Sequence, residues 1–169
     1  MPIYVAPINR VLHEAQTFKP DAIISIVDPT MKNPNFPMKV PILNLNFDDI
    51  CFEPVSFYDK ERYSPPTRSH VEEIFHFGAF FYKKDTNLLT HCYAGISRSS
   101  AAAIIALCPH YGYKKAVEMV ANIQVYQSEG VSEAGSSWFM PNNLMIKYAD
   151  DQLALNGELI NLVETTFSY

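Results

Sequence analysis

The chain has 169 residues, a formal net charge of −5 at pH 7, 48% hydrophobic residues and 18% charged residues. This length and composition are typical of one globular domain, which we assign to residues 1–169. The acidic balance argues against nucleic acid or an anionic membrane as the main partner, because both reward clustered Lys and Arg.

The cysteines and the hydropathy predict the compartment. Cys51, Cys92 and Cys108 are odd in number and widely spaced, which favours a reducing environment and does not fit a zinc-binding spacing. We expect no secretory signal, because the first residues lack a basic leader followed by a long apolar run. We also expect no bilayer-spanning segment, because no apolar stretch is long enough. The expectation is therefore a cytoplasmic protein.

The first half of the chain predicts strands separated by a helix and loops. A short strand at residues 3–5 precedes a helix over about residues 10–18. The apolar run at residues 22–27 predicts a buried strand, and residues 42–47 alternate in polarity as a further strand would. Residues 48–66 predict a long irregular loop, a kind of segment that is often functional.

The second half predicts one more strand and several helices. Ser69 and Glu72 have the spacing of a capping box, which predicts that a helix begins there. Residues 87–91 predict a strand, and residues 98–108 predict a helix that is buried because it is apolar nearly all round.

Pro109 and Gly112 are expected to end that helix, and two further helices follow at about residues 114–123 and 143–155. Strands that alternate with helices predict an α/β fold. We expect a mostly parallel central sheet of four to five strands flanked by helices, because continuous apolar strands are typical of such sheets.

The segment from His91 to Ser99 joins the last strand to the buried helix, and residues 92–98 are called the Cys92 loop below. In a parallel sheet this junction lies at the carboxyl edge, where ligands bind. Backbone N–H groups of a tight loop and of a helix start converge there on an anion. Arg98 adds a planar fork of donors that can hold two phosphate oxygens. We expect Arg98 and the loop to bind a phosphate group, with the backbone supplied by Tyr93, Ala94, Gly95, Ile96 and Ser97.

Cys92 stands at the start of this electropositive loop. A thiol that faces helix-terminal N–H groups and a guanidinium ionises readily, so we expect Cys92 to attack phosphorus as a thiolate. The Ser99 hydroxyl can donate to the sulfur and ease its departure, and the His91 ring can hold the loop and tune the thiolate. No metal or other cofactor is needed, because Arg98 and the amides balance the transition-state charge.

The order His-Cys, five residues, Arg, Ser at residues 91–99 resembles the signature of the protein tyrosine phosphatase superfamily. The variant Ala-Gly-Ile-Ser-Arg-Ser resembles the dual-specificity branch and its bacterial relatives, and a weaker likeness extends from about Ile23 to Leu155. The resemblance implies an α/β sheet flanked by helices. It also implies phosphoester hydrolysis through a phosphocysteine at Cys92, with Arg98 in the phosphate site.

The resemblance also implies a general acid, an aspartate on a loop upstream of the signature. Asp48 and Asp49 follow the strand predicted at residues 42–47. We favour Asp49, because the pattern Phe-x-Asp-Ile is similar to that of bacterial members, and Asp48 stays open as the alternative. Both could instead be turn residues.

Four weaker features complete the site hypothesis. Asn142 follows Pro141 in a pair similar to one that braces the signature loop in related phosphatases, and it could equally be a helix N-cap. Cys51 could form a reversible disulfide with Cys92, although such a cysteine is more often inert. Trp138 and Phe139 are expected in the core. A last group could line the site: Gln124, Tyr126 and Gln127.

The leading interpretation is a dual-specificity-like phosphatase that acts on a phosphorylated protein or a small phosphoester. An inositol phosphate or phosphoinositide phosphatase is the alternative. Tyr93, Ile96 and Ser97 argue against it, because enzymes for such polyanions often carry Lys or an extra Gly there. We rank three further alternatives lower: a non-catalytic phosphate-binding pseudophosphatase, a sulfurtransferase, and an arsenate reductase, for which Cys51 would have to serve as a resolving cysteine.

Overall fold

The computed structural model describes residues 3–54, 57–81, 86–123 and 138–167, so Gln124, Tyr126 and Gln127 lie outside the described residues. The described residues form four strands and six helices, labelled in chain order. They are β1 (Ile3–Pro7), α1 (Val11–Phe18), β2 (Ala22–Val27), β3 (Ile42–Asn46), α2 (Phe57–Arg62), α3 (Arg68–Phe81), β4 (Leu88–Cys92), α4 (Arg98–Ala121), α5 (Asn143–Gln152) and α6 (Glu158–Thr166).

The strands form one sheet in the order β1-β4-β2-β3, and every pairing among the described strands is parallel. All residues of β2 and β4 are buried, as expected for central strands that are covered on both faces. The predicted α/β fold with a parallel sheet is therefore confirmed. Pro7 pairs with Cys92 and Val27 with Asn46, so the carboxyl ends of the strands lie along one edge.

The two faces of the sheet carry cores of unequal size. The larger core joins alternate sheet residues, such as Ile24 and Ile26, to the apolar faces of α3, α4, α5 and α6. The smaller core joins Ile23 and Leu89 to α1 and to Phe36, which lies between β2 and β3. Successive strand residues face opposite sides, so Cys92 lies on the side of the larger core. The His91 ring lies on the other side, beside Phe36.

The start of α3 differs from the prediction. The helix begins at Arg68, and the reciprocal capping pair is Thr67 with His70 rather than Ser69 with Glu72. Thr67 Oγ1 accepts from the His70 amide at 3.3 Å, and His70 Nδ1 accepts from the Thr67 amide at 3.2 Å. The predicted capping box is wrong because an imidazole supplies the acceptor that a Glu normally provides at that position.

The long helix α4 corresponds to two of the predicted helices. The first of these two helices continues through Pro109, which was expected to help end it. The two meet at a kink at Gly112, whose φ of 71° and ψ of 160° are not helical, so the break predicted at Gly112 is confirmed. A proline in a helix removes one backbone hydrogen bond, and here that loss does not end the helix.

Other boundaries differ in smaller ways. A short helix, α2, lies inside the predicted loop at residues 48–66, and α6 follows α5 in a stretch to which the sequence assigned no element. No helix among the described residues is both long enough and apolar enough to cross a membrane.

Candidate active site

The Cys92 loop connects the end of β4 to the start of α4 at the carboxyl edge of the sheet. Neighbouring segments hold its carbonyl oxygens from outside. The Ile8 amide donates to Tyr93 O at 3.1 Å and the Met140 amide donates to Ile96 O at 3.2 Å. The Asn142 amide donates to Ser97 O at 3.3 Å. The chain after β1 and the segment before α5 therefore fix the loop from two sides.

The outward carbonyls determine where the loop amides point. In a trans peptide the N–H of the next residue points opposite to the carbonyl, so the N–H groups of Ala94, Ser97 and Arg98 point into the loop. The Gly95 amide donates directly to Cys92 Sγ at 3.3 Å. The loop therefore forms a cup of amide hydrogens around the sulfur, which suits a tetrahedral oxyanion.

Gly95 is required by the geometry of this cup. Its φ is +72°, and a Cβ built there would lie 2.6 Å from Pro7 N and 2.7 Å from Ala6 C. Both contacts are with backbone atoms of β1, which cannot rotate aside. A side chain at this position would push the loop away from the sheet edge.

Cys92 and Ser99 face each other beneath the loop. Cys92 is 1% exposed and Ser99 is fully buried, and Cys92 Sγ lies 3.2 Å from Ser99 Oγ. Thr90 Oγ1 donates to Ser99 O at 3.0 Å, which holds the first turn of α4 against β4. The sulfur thus has two donors within reach, the Gly95 amide and the Ser99 hydroxyl.

Arg98 is 3% exposed and lies beside the cup. Its Nη1 donates to Asp28 Oδ1 at 2.7 Å and to Phe47 O at 2.6 Å. Its Nε is buried without a hydrogen-bond partner in the described residues. Asp28 was not predicted from the sequence as a partner of Arg98. An acid directly after a buried strand was the available signal, since a buried arginine needs a carboxylate partner.

The two candidate acids have different surroundings. Asp49 Oδ1 accepts from Ser97 Oγ at 2.7 Å and from Asn142 Nδ2 at 2.8 Å, and Asp49 Oδ2 lies 3.8 Å from Arg98 Nε. Asp48 Oδ2 instead accepts from the Ser64 amide at 2.7 Å, and the Asp48 amide donates to Ser64 O at the same distance. Asp49 therefore contacts the Cys92 loop, whereas Asp48 closes the base of the segment that contains α2.

Asn142 combines the two roles that the sequence left open. Its Oδ1 caps α5 by accepting from the Met145 amide at 3.1 Å. Its Nδ2 donates to Asp49 Oδ1 and also to Ile50 O at 3.1 Å. The fully buried side chain thus connects α5 to the Asp49 segment, while the Asn142 backbone amide donates to Ser97 O of the Cys92 loop.

The His91 ring interacts with the smaller core. Its Nε2 lies 2.7 Å from Ser25 Oγ, which donates to Asn33 Oδ1 at 2.9 Å. Because the serine proton is used in that bond, Nε2 is the ring nitrogen that carries the proton. Burial lowers the pKa of His91 to about 4, and the Arg98 charge adds to this while the Cys92 backbone opposes it. The Nε2 atom of the ring contacts Ser25 on β2, whereas the sequence suggested that the ring holds the Cys92 loop.

Several exposed apolar side chains lie on the segments around the loop. Trp138 is 57% exposed, so its expected place in the core is wrong, whereas Phe139 is 2% exposed and in the core as predicted. Phe139 packs into the larger core, whereas the side chain of Trp138, directly before it, does not. The exposed set consists of Phe52, Tyr93, Ile96, Trp138 and Met140.

The surroundings of Cys51 and the capacity for metal binding complete the description of the site. Asn142 Nδ2 donates to Cys51 Sγ at 3.5 Å, and partial burial followed by the Asp49 charge raises the pKa of the Cys51 thiol. No group of three or more His, Cys, Asp or Glu side chains suited to a metal occurs among the described residues.

Comparison with solved structures identifies the fold. Human DUSP28 matches with a TM-score of 0.60 and 18% identity, over 90% of this chain and 94% of that one. A mouse putative dual specificity phosphatase, solved with zinc tungstate, matches with a TM-score of 0.56 and 17% identity, over 91% and 86%. The human tyrosine phosphatase-like serine/threonine/tyrosine-interacting protein matches with a TM-score of 0.52 and 19% identity, over 91% and 92%.

The described residues therefore have the same fold as the solved dual-specificity phosphatases. Neither a protein-family model nor a curated protein matches the sequence, so the likeness is one of fold.

Proposed function

We propose that the chain is a cysteine-dependent phosphatase of the dual-specificity kind, which hydrolyses a phosphomonoester through a phosphocysteine at Cys92. The observation that carries this proposal is the cup of the Cys92 loop. A buried sulfur lies 3.3 Å from the Gly95 amide and 3.2 Å from the Ser99 hydroxyl, beside a buried arginine. Such an arrangement concentrates positive potential where a phosphate dianion and a thiolate must meet.

In the first step the Cys92 thiolate attacks phosphorus, and the bond from phosphorus to the leaving oxygen breaks. The loop amides and Arg98 hold the three non-bridging oxygens. Asp49 gives its proton to the leaving oxygen. Ser97 and Asn142 occupy Oδ1 of Asp49, so Oδ2 is the oxygen that carries the proton.

In the second step water attacks the phosphocysteine, and the bond between sulfur and phosphorus breaks. Asp49 takes the proton from the water as general base, and inorganic phosphate is released. The sulfur leaves as a thiolate, which the Ser99 hydroxyl and the Gly95 amide stabilise by hydrogen bonds. Every charge in the cycle is balanced by side chains and amides of this chain, so the mechanism needs no metal.

Two features favour turnover of a protein or small aryl phosphoester over the alternatives. The name of one structural neighbour says only phosphatase-like, so the fold does not by itself imply catalysis. Here Cys92, Arg98 and Asp49 occur together in one site, which a non-catalytic module would not require. Exposed Tyr93 and Ile96 on the loop suit an apolar leaving group better than an inositol polyphosphate.

The test compares two Cys-to-Ser substitutions, each of which replaces a thiol sulfur with a hydroxyl oxygen. Cys92→Ser should abolish phosphate release from p-nitrophenyl phosphate and from phosphopeptides, yet retain binding of tungstate, because the amide cup stays intact. Cys108→Ser is the matched control. The Cys108 thiol is buried and donates to Ile104 O, and burial raises its pKa to about 12, so it is not a nucleophile.

Retained turnover in Cys92→Ser would overturn the nucleophile assignment. Inositol phosphates, thiosulfate and arsenate belong in the same assay. A strong preference for any of them over phosphopeptides would replace the proposed substrate class.

A further inference from the structure

We propose that Asp28 is a positioning residue that holds Arg98 from behind, so that the opposite edge of the guanidinium faces the phosphate. This inference rests on the proposed function, because it assigns a role within that phosphate site. Asp28 lies outside the Cys92 loop and follows β2, the strand next to β4 in the sheet.

The hydrogen bonds of Arg98 show which edge is free. Nη1 has two hydrogens, and the contacts to Asp28 Oδ1 at 2.7 Å and Phe47 O at 2.6 Å use both of them. Nη1 lies cis to Cδ, so Nε and Nη2 form the other edge, which is the parallel fork that grips two oxygens of an oxyanion. Nε is buried and has no hydrogen-bond partner among the described residues.

An unsatisfied buried donor is costly, and an oxyanion oxygen in the cup would supply the missing acceptor. Asp28 does not compete for this edge, since its contact is to Nη1. The phosphate can therefore bind while the bond between Asp28 and Arg98 stays in place.

The backbone around Asp28 is held in place by its neighbours. Asp28 precedes Pro29, which restricts its backbone to extended conformations, and the Met31 amide donates to Asp28 O at 2.9 Å. The second anchor, Phe47 O, follows the neighbouring strand β3, where the Phe47 amide donates to Val27 O at 3.1 Å. Both acceptors for Nη1 thus come from adjacent strand ends that are bonded to each other.

The negative charge of Asp28 also supports the positioning role. A buried guanidinium needs a carboxylate partner, and Asp49 is the other candidate, with Oδ2 3.8 Å from Nε. When Asp49 carries the proton required of a general acid, it is neutral. Asp28 then remains the carboxylate that keeps Arg98 paired and in place.

The experiment measures tungstate binding by calorimetry in the Cys92→Ser protein and kcat and KM in the active protein. Asp28→Ala should weaken tungstate binding and lower kcat/KM by about 10–100-fold, the range for losing a hydrogen bond to a charged group. Asp28→Asn should recover only part of the loss and stay about 5–10-fold below the parent, because its amide oxygen can still accept from Nη1 but carries no charge. The matched control is Asp151→Ala, which breaks an exposed ion pair of the same 2.7 Å length with Arg68 and should change neither value.

Tungstate binding in Asp28→Ala as tight as in the parent, or tighter, would overturn the inference. If Asp28→Ala fails to fold, the isosteric Asp28→Asn decides, measured alone and in an Arg98→Lys background. Lysine has no Nη1, so Asp28→Asn should then have less than about a twofold further effect, whereas an undiminished effect would contradict the positioning role. If the protein turned over no substrate and its tungstate binding still depended on Asp28, the proposed function would be refuted and the inference would stand.

Discussion

Substitutions of Asn142 should separate the stability of α5 from the activity of the site. The side-chain oxygen caps the helix, while the side-chain nitrogen donates to Asp49 Oδ1 and to Ile50 O. Asn142→Ser keeps a capping hydroxyl but is too short to reach Asp49, and Asn142→Ala removes both functions.

The expected magnitudes follow from these contacts. Loss of an N-cap costs about 1 kcal/mol, so Asn142→Ala should be less stable than Asn142→Ser by about that amount. Both variants lose the hydrogen bond to the Asp49 carboxylate, a contact of the kind worth about 1.5–3 kcal/mol. If that energy also positions the acid in the transition state, kcat should fall by about 10–100-fold in both.

A third substitution, Asn142→Asp, tests the direction in which stability changes with pH. It would place a second carboxylate where Nδ2 now lies 2.8 Å from Asp49 Oδ1, and two such groups cannot both ionise cheaply. Because repulsion raises the folded-state pKa of the pair, the loss of stability relative to the parent should be small near pH 4 and should grow as pH rises.

Urea denaturation and phosphate release, measured for each variant, test these expectations for stability and for activity. Equal stability of the Ser and Ala variants would show that the cap contributes nothing. Full activity of Asn142→Ser would show that the tie to Asp49 is not needed.

Three further predictions concern single residues. Asp49→Asn should lower kcat by about 10²–10⁴, the usual contribution of a general acid, with a much smaller effect of Asp48→Asn, and the reverse order in a phosphate-release assay would move the role to Asp48. Gly95→Ala should abolish most activity and lower the melting temperature, because its Cβ would meet backbone atoms of β1 at 2.6–2.7 Å, and a fully active variant would contradict the cup geometry. The pKa of His91, about 4 in the folded chain, lies below its ordinary value of about 6.5, so the unfolded chain binds the proton first and stability should fall by up to about 3 kcal/mol as pH drops from 6.5 to 4. Urea denaturation of His91→Gln across this range should show a flatter pH dependence, and an unchanged slope would refute the assignment.

Local patterns in the sequence predicted much of the fold and the centre of the site. The apolar run of β2 and the spacing of Cys92 and Arg98 each lie within a few neighbouring residues, so periodicity and loop chemistry were sufficient. The partners of those residues were harder to predict. Asp28 is 70 residues from Arg98 and Ser25 is 66 residues from His91, and they meet only because β2 pairs with β4. No local pattern specifies that strand order.

The exposure of Trp138 was also hard to predict from local sequence. Trp138 was expected inside because tryptophan is usually well buried, yet burial depends on which side of its segment packs. Trp138 and Phe139 directly precede Met140, whose amide donates to Ile96 O. That contact joins two segments far apart in the chain, so it could not be predicted from either alone.

The outward carbonyls of the Cys92 loop have an evolutionary consequence. In the proposed site the loop holds the anion through its main-chain amides, together with the Arg98 side chain, so the identities of Tyr93, Ala94 and Ile96, all exposed, would be nearly independent of the chemistry. Selection can therefore alter these three positions to suit a different leaving group at little cost to catalysis. A small library at those positions would explore new substrates on an unchanged reaction centre.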